Sequence, residues 1–226
     1  MAFQLTDVVP WGRTLEEYEA MFSLTEQDLR GSILGCGDGP ASFNAEATVL
    51  GSHVVSADPI YQFSAAALQS RIDETAAVIG EQLKQNLNEF VWDHFPTPEA
   101  LIGARMAAMQ TFLADYAGGL GEGRYIVAAL PNLPFADGSF DLALCAHFLF
   151  LYSAQFDLDF HLSSIWELCR VAREVRIFPL FELGSVRSRH LDETMAALEN
   201  RGRASEVVRV DYELQKGGNE MLRIFG

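Results

Sequence analysis

Basic residues are scarce in this chain of 226 residues: 16 Lys and Arg stand against 31 Asp and Glu, a formal net charge of −15. A nucleic-acid partner needs a basic footprint for its phosphates, so the balance argues against DNA or RNA. It leaves room for a small cationic or zwitterionic ligand. Cysteine is equally sparse. Cys36, Cys145 and Cys169 form no CxxC pair and no Cys/His ligand spacing, which argues against a structural zinc or any other metal site. They read as buried, reduced thiols of a cytoplasmic protein. Long apolar runs are missing too. The longest, "FDLALCAHFLFLY" (140–152), falls short of the ~18 residues a membrane span requires. The opening "MAFQLTD" has no basic stretch followed by an apolar one, so no secretory signal is expected there.

What is present suits one α/β domain covering 1–226, with 49% hydrophobic residues to fill a core. Residues 1–30 read as a helical cap. Thr14 with Glu17 and Thr25 with Asp28 have capping-box spacing. Strands are expected at 33–34, "HVVSAD" (53–58), "RYIVAA" (124–129), "SFDLALCA" (139–146) and "EVRIFPLFEL" (174–183). Helices are expected between them: one from Pro40 to about Leu50, one at about 157–170 and one at about 191–201. Residues 64–117 read as a mostly helical insertion, a candidate lid, with Met106, Met109 and Leu113 on one face and "AGGLGEG" (117–123) breaking it. The chain closes on two strands joined by "QKGG" (215–218), a hairpin. The expected fold is a doubly wound, mostly parallel, seven-stranded Rossmann-like sheet with a C-terminal antiparallel hairpin and an N-terminal helical cap.

The chemistry is concentrated in "SILGCGDGPASFNAE" (32–46). Gly35, Gly37 and Gly39 lie where the first strand hands over to its helix, the end of an open sheet where ligands bind. Glycine there permits positive φ and close approach to the backbone, and the helix start offers free N–H groups. The spacing is G-x-G-x-G, and Pro40 stands near where the dinucleotide fingerprint G-x-G-x-x-G has its last glycine. Nicotinamide is therefore the weaker ligand reading. Asp58 ends the second strand, 23 residues after Gly35, and can accept two hydrogen bonds from a ribose diol, or be a turn residue before Pro59. "DPIY" (58–61) is not the D-P-P-Y of adenine methylases, because it follows the second strand and carries Ile60.

Three ordered stretches, "ILGCGDG" (33–39), "VVSAD" (54–58) and "LPNLPFADGSFDLAL" (130–144), resemble motifs of the class I S-adenosylmethionine (SAM)-dependent methyltransferases over about residues 31–183. The resemblance implies SAM as cofactor and a small-molecule substrate. It sets Gly35, Gly37 and Gly39 beneath the methionine part, Asp58 on the ribose, Pro59 and Tyr61 beside the adenine, and Leu130 at the adenine edge. The chain departs from the pattern in three places. Ile33 stands where an acidic residue usually meets the SAM amino group, Ala129 replaces an acidic residue, and the Pro-Gly-Gly turn before the fifth strand is absent. Asn44 or Glu46 are the substitutes for the first, or a solvated helix face.

His147, after the fourth strand, is the candidate base or a core histidine, and Tyr152 a candidate substrate-positioning residue. Tyr61, Phe63, Phe148 and Phe150 add rings that can face a sulfonium or simply fill the core. Arg13 can fork onto the SAM carboxylate or be a surface charge. Four readings stay open at this level. The first is methyl transfer to a small molecule. The second is displacement of methylthioadenosine from SAM, by cyclisation to azetidine-2-carboxylate or by aminocarboxypropyl transfer. The third is SAM binding without catalysis, and the fourth is nicotinamide binding.

Overall fold

The structure, a computed structural model, describes residues 11–226. Two short helices open it, α1 (Leu15–Phe22) and α2 (Glu26–Arg30). Both carry the expected capping boxes, Thr14 with Glu17 and Thr25 with Asp28. The first part of the expected cap, residues 1–10, lies outside the described residues. Next come β1 (Ser32–Cys36), α3 (Phe43–Val49), β2 (His53–Ala57), the long pair α4 (Ala65–Gln85) and α5 (Pro98–Gly121), and the short β3 (Tyr125–Ile126). They are followed by β4 (Phe140–Ala146), α6 (Leu158–Val171), β5 (Ala172–Phe178), the small hairpin strands β6 (Phe181–Glu182) and β7 (Val186–Arg187), α7 (Leu191–Asn200), β8 (Ala204–Arg209) and β9 (Glu220–Phe225).

Among the described residues seven strands form the main sheet, in the order β3-β2-β1-β4-β5-β9-β8. The first five run parallel, and β9 is antiparallel to both β5 and β8. This is the doubly wound, Rossmann-like arrangement with a closing hairpin that the sequence predicts. Strand order reverses between β1 and β4, so their carboxyl ends open a crevice. The parallel strands are buried on both faces. Leu34, Cys145 and Val175 point into a layer with Ile165 and Leu168 of α6 and Leu198 of α7. Ile33, Leu142 and Leu144 point the other way, onto Tyr18, Met21 and Phe22 of α1 and Phe43 of α3. The period of two thus divides each strand between two cores.

Several boundaries differ from expectation. Pro40 lies in a turn ahead of α3 rather than in its first turn. β3 keeps two residues of the six expected. The fifth strand stops at Phe178, and Phe181 and Glu182 join a separate hairpin. α5 runs on through Ala117 to Gly121, and Gly119 is where it presses on the Tyr125 ring. A Cβ there would come within 2.3 Å of that ring. The buried stripe of α5 is Leu101, Arg105, Ala108, Met109, Phe112, Tyr116 and Gly119. Met106 and Leu113 sit at its margin. The stripe hides in the sequence because its centre is an arginine.

Arg105 is fully buried and ion-paired with Glu17 of α1. It also donates to Tyr212 Oη (3.2 Å), and Tyr212 donates to Glu17 Oε1 (2.9 Å). This triangle ties α1, the inserted pair α4–α5 and the β8–β9 connection into one body. The loop between α4 and α5 is fastened to the same connection, Val91 N–H to Leu214 O at 2.8 Å and Lys216 N–H to Glu89 O at 3.0 Å. No described helix is long and apolar enough to cross a membrane.

Candidate active site

The crevice holds a cavity of about 370 Å³ at the carboxyl ends of β1, β2 and β4, a size suited to a cofactor. Gly37 and Gly39 line it with φ of +71° and +57°, the left-handed region the glycine spacing anticipates. Gly35 lies one step back, inside β1 and outside the lining. A Cβ on Gly35 would stand 1.8 Å from Asp38 Oδ2, so this glycine is required by the carboxylate of its own loop.

Asp38 is the cavity residue that sequence reasoning missed. It lines the cavity, is 7% exposed, and accepts hydrogen bonds from Tyr18 Oη (2.8 Å) and Ser56 Oγ (2.6 Å). Burial pushes its carboxyl up to about 6, the two hydroxyls oppose that, and the Asp58 charge adds to it. The signal was in plain view: an acidic residue between two glycines of the loop, five positions after the vacant Ile33.

Asp58 also lines the cavity. One oxygen accepts from Gly39 N–H (2.9 Å) and the other from Ile60 N–H (2.9 Å), so it is both a turn residue and the anchor of the glycine loop. Each oxygen keeps a further lone pair. Burial raises its pKa despite these two bonds. Pro59 and Ile60 continue the wall, and Ala128, Ala129 and Leu130 form the opposite one. Phe148, Phe156 and Phe160 close it with rings, Phe156 and Phe160 stacked at 4.3 Å.

Three expected contacts stand elsewhere. Tyr61 is buried outside the lining, among Phe112, Tyr116 and Tyr125, and its hydroxyl donates to Gly39 O (2.8 Å). It holds the loop from behind. Asn44 is also outside: its amide donates towards Val54 O, Ser56 Oγ and Arg124 O, and its oxygen accepts from Arg124. With its hydrogen-bonding capacity spent on β2 and β3, it is a strut behind Ser56. Glu46 is turned to Leu15 N–H (2.7 Å), fastening α3 to α1. Of the remaining rings, Phe63 is half exposed and Phe150 is core.

A second, smaller chamber of about 80 Å³ adjoins the first across Trp11, Arg13 and His147, which line both. Its walls come from four separated regions: Ile79, Leu83, Phe90 and Leu101 of the insertion, Leu151 and Tyr152 after β4, Phe178, Phe181 and Leu183 at and after the end of β5, and Tyr212, Leu214, Gln215 and Gly218 between β8 and β9. Tyr152 thus belongs to this chamber and not to the glycine-loop cavity. β8 runs parallel to β5, so the "QKGG" connection falls on the crevice side. Gly218 lets the Phe181 ring approach; a Cβ would lie 2.2 Å from it.

Arg13 and His147 at the shared wall each keep a buried polar atom without a hydrogen-bond partner among the described residues, Arg13 Nε and His147 Nδ1. Among the described residues, the Arg13 guanidinium otherwise donates only to Trp11 O (3.0 Å). Its pKa is lowered by burial and then by Arg105. His147 has φ +52°, an unusual turn for a side-chain-bearing residue, fixed by its N–H on Phe178 O (2.6 Å). Burial, then Arg13 and Arg105, hold the imidazole well below its ordinary pKa, so it is neutral at pH 7.

No family model matches the chain. The uncharacterized protein MJ0045 of Methanocaldococcus jannaschii is 33% identical to it over 221 residues, 97% of each chain. The chain belongs to the family of this archaeal protein. Similarity to solved structures is remote. The magnesium protoporphyrin IX methyltransferase of Synechocystis is 12% identical with a TM-score of 0.44, over 88% of this chain and 72% of that one. A SAM-dependent methyltransferase from Aquifex aeolicus is 15% identical with a TM-score of 0.43, over 92% and 90%.

Proposed function

We propose that the protein is a SAM-dependent methyltransferase acting on a small molecule. The observation that carries this reading is the pair of adjoining chambers, one built on a glycine loop and two buried aspartates, the other apolar, with Arg13 and His147 on their common wall. The residues fit SAM group by group. Asp38 meets the ammonium, Arg13 with its unpartnered Nε meets the carboxylate, Asp58 meets the ribose, and Ile60 and Leu130 flank the adenine. SAM supplies an electrophilic methyl carbon on a sulfonium. The chain supplies alignment, exclusion of water and, in neutral His147, a proton acceptor.

Asp38 also bears on the competing reaction. Cyclisation of SAM requires its amino group as a free nucleophile. A carboxylate delivered by the loop keeps that group as a bound ammonium and disfavours the attack. The test is to incubate the pure protein with SAM alone and with SAM plus a cell extract, following products by mass spectrometry. Methylthioadenosine from SAM alone would overturn methyl transfer. S-adenosylhomocysteine that forms only with the extract would support it. SAM binding with neither product would leave a binding protein.

A further inference from the structure

The small chamber holds a contrast with the rest of the molecule. In a chain with 31 acidic residues, the described residues lining it include no Asp, Glu or Lys. Among those residues Arg13 is the one charged side chain. The remaining polar groups are neutral: His147, Tyr152, Tyr212, Gln215 and the Trp11 indole. Tyr212 is already committed to Glu17 through its own proton.

Among the described residues, the charges around both chambers also close without a charged acceptor. Asp38, Asp58 and Glu17 face Arg13 and Arg105, a net of −1. SAM carries a sulfonium, an ammonium and a carboxylate, a net of +1, so the loaded site sums to zero. A carboxylate or ammonium brought into the apolar chamber would be desolvated with no counter-charge left to meet it. At about 80 Å³ the chamber is about half the size of a cavity that takes benzene, which limits the inserted part to a short or branched aliphatic group.

Resting on the methyltransferase reading, we infer that the acceptor is an uncharged molecule that inserts a short aliphatic group into the chamber walled by Ile79, Leu83, Leu101, Leu151 and Phe181, and presents a neutral O–H, N–H or S–H to His147. The acceptor's heteroatom forms a bond to the methyl carbon while the carbon–sulfur bond breaks, its electron pair staying on sulfur, and the heteroatom's proton passes to the imidazole. The group that orients the acceptor is therefore its apolar end, and charge is what the chamber rejects.

The test uses the full-length protein loaded with sinefungin, a SAM analogue that cannot give up a methyl group and whose second ammonium keeps the net charge of +1, and three probes of one carbon skeleton: 3-methylbutanol, 3-methylbutanoate and 3-methylbutylamine. Binding is read by ligand-observed nuclear magnetic resonance, after calorimetry has measured sinefungin itself. The expected result is that the alcohol binds at least tenfold more tightly than either ion. Leu183→Trp, which fills the chamber from its margin, should abolish alcohol binding and leave sinefungin affinity within threefold. Equal or tighter binding of the carboxylate or the amine overturns the inference, as does alcohol binding that survives in Leu183→Trp. Failure of both sinefungin and SAM to bind at all would instead overturn the methyltransferase reading.

Discussion

The Asp38 carboxylate occupies the space that a side chain on Gly35 would fill. The first glycine of the loop and its acidic residue are therefore one device: the strand gives up a Cβ so that a carboxylate from its own turn can fold back over it. Gly35→Ala must push that carboxylate off Tyr18 and Ser56. We expect a loss of stability of about 1–3 kcal/mol in denaturant titrations, the scale of overpacking in a close-packed interior. We also expect SAM affinity to fall at least tenfold by calorimetry. An alanine variant that binds SAM normally would show that Asp38 has no part in the site.

Asp38 also sets a dependence on pH with a defined sign. Its carboxyl in the folded protein sits at about 6, above the ordinary value for aspartate. Between pH about 4 and 6 the folded, unliganded protein therefore holds a proton that the unfolded chain has released. Stability without ligand should fall by about 3 kcal/mol as pH rises through that window. SAM affinity should move the opposite way, rising as the carboxylate forms to meet the ammonium. Asp38→Asn should flatten both profiles, measured by thermal denaturation and by calorimetry across the same range.

The loop is held from two sides, and the two anchors should separate on mutation. Asp58→Ala removes the acceptor for Gly39 N–H and Ile60 N–H together with the proposed ribose contact, and should weaken SAM binding by about 1–3 kcal/mol. Tyr61→Phe removes only the hydroxyl bonded to Gly39 O. It should cost about 0.5–1.5 kcal/mol of stability and leave SAM affinity within about twofold. Equal losses of affinity in the two variants would mean that Asp58 acts only through the loop.

How much of this was legible in the sequence divides by range. Local chemistry was readable: the capping boxes at Thr14 and Thr25, the positive-φ positions Gly37 and Gly39, and Asp58 at the end of β2. Side chains whose partners are distant in the chain were not. Asn44 and Tyr61 sit at plausible positions for a cofactor contact, but whether they face the cavity or its scaffold depends on Arg124 and Tyr116, which lie 80 and 55 residues away. Arg105 interrupts an apolar stripe and reads as an exposed residue until Glu17, 88 positions away, is brought against it. The second chamber has no linear signature, since the topology alone gathers its walls.

That buried pair predicts how the insertion is attached. Arg105 is fully enclosed, with Glu17 and the Tyr212 hydroxyl as its polar partners among the described residues. Burial raises the Glu17 carboxyl, but Arg105 outweighs it and holds the net value below the ordinary one. Glu17→Gln leaves a buried guanidinium without its counter-charge and should destabilise the protein by about 3–5 kcal/mol. Glu17→Leu combined with Arg105→Met should recover most of that loss, because two apolar side chains of similar volume avoid the desolvation of the ions. Chemical denaturation of the two variants checks both statements, and a double variant no better than Glu17→Gln would mean that the pair contributes more than charge balance.

His147 is the group whose removal should separate chemistry from binding. Its left-handed backbone makes Asn the appropriate replacement, since asparagine tolerates positive φ while lacking a titratable nitrogen. With an acceptor identified, His147→Asn should lower kcat by about 10²–10⁴, the usual contribution of a positioned base, with SAM affinity unchanged within about threefold. The pH profile gives an independent reading. An imidazole with its ordinary pKa would make kcat climb between about pH 5.5 and 7.5. Burial and the two neighbouring guanidiniums hold His147 well below that value, so kcat at saturating SAM should be flat across the window. Removing the Arg13 charge with Arg13→Gln should leave the profile flat over the same window, because burial, the larger cause of the depression, remains. A climb in kcat over that window in the unsubstituted protein, or kcat undiminished in His147→Asn, would exclude a buried, neutral His147 as the proton acceptor.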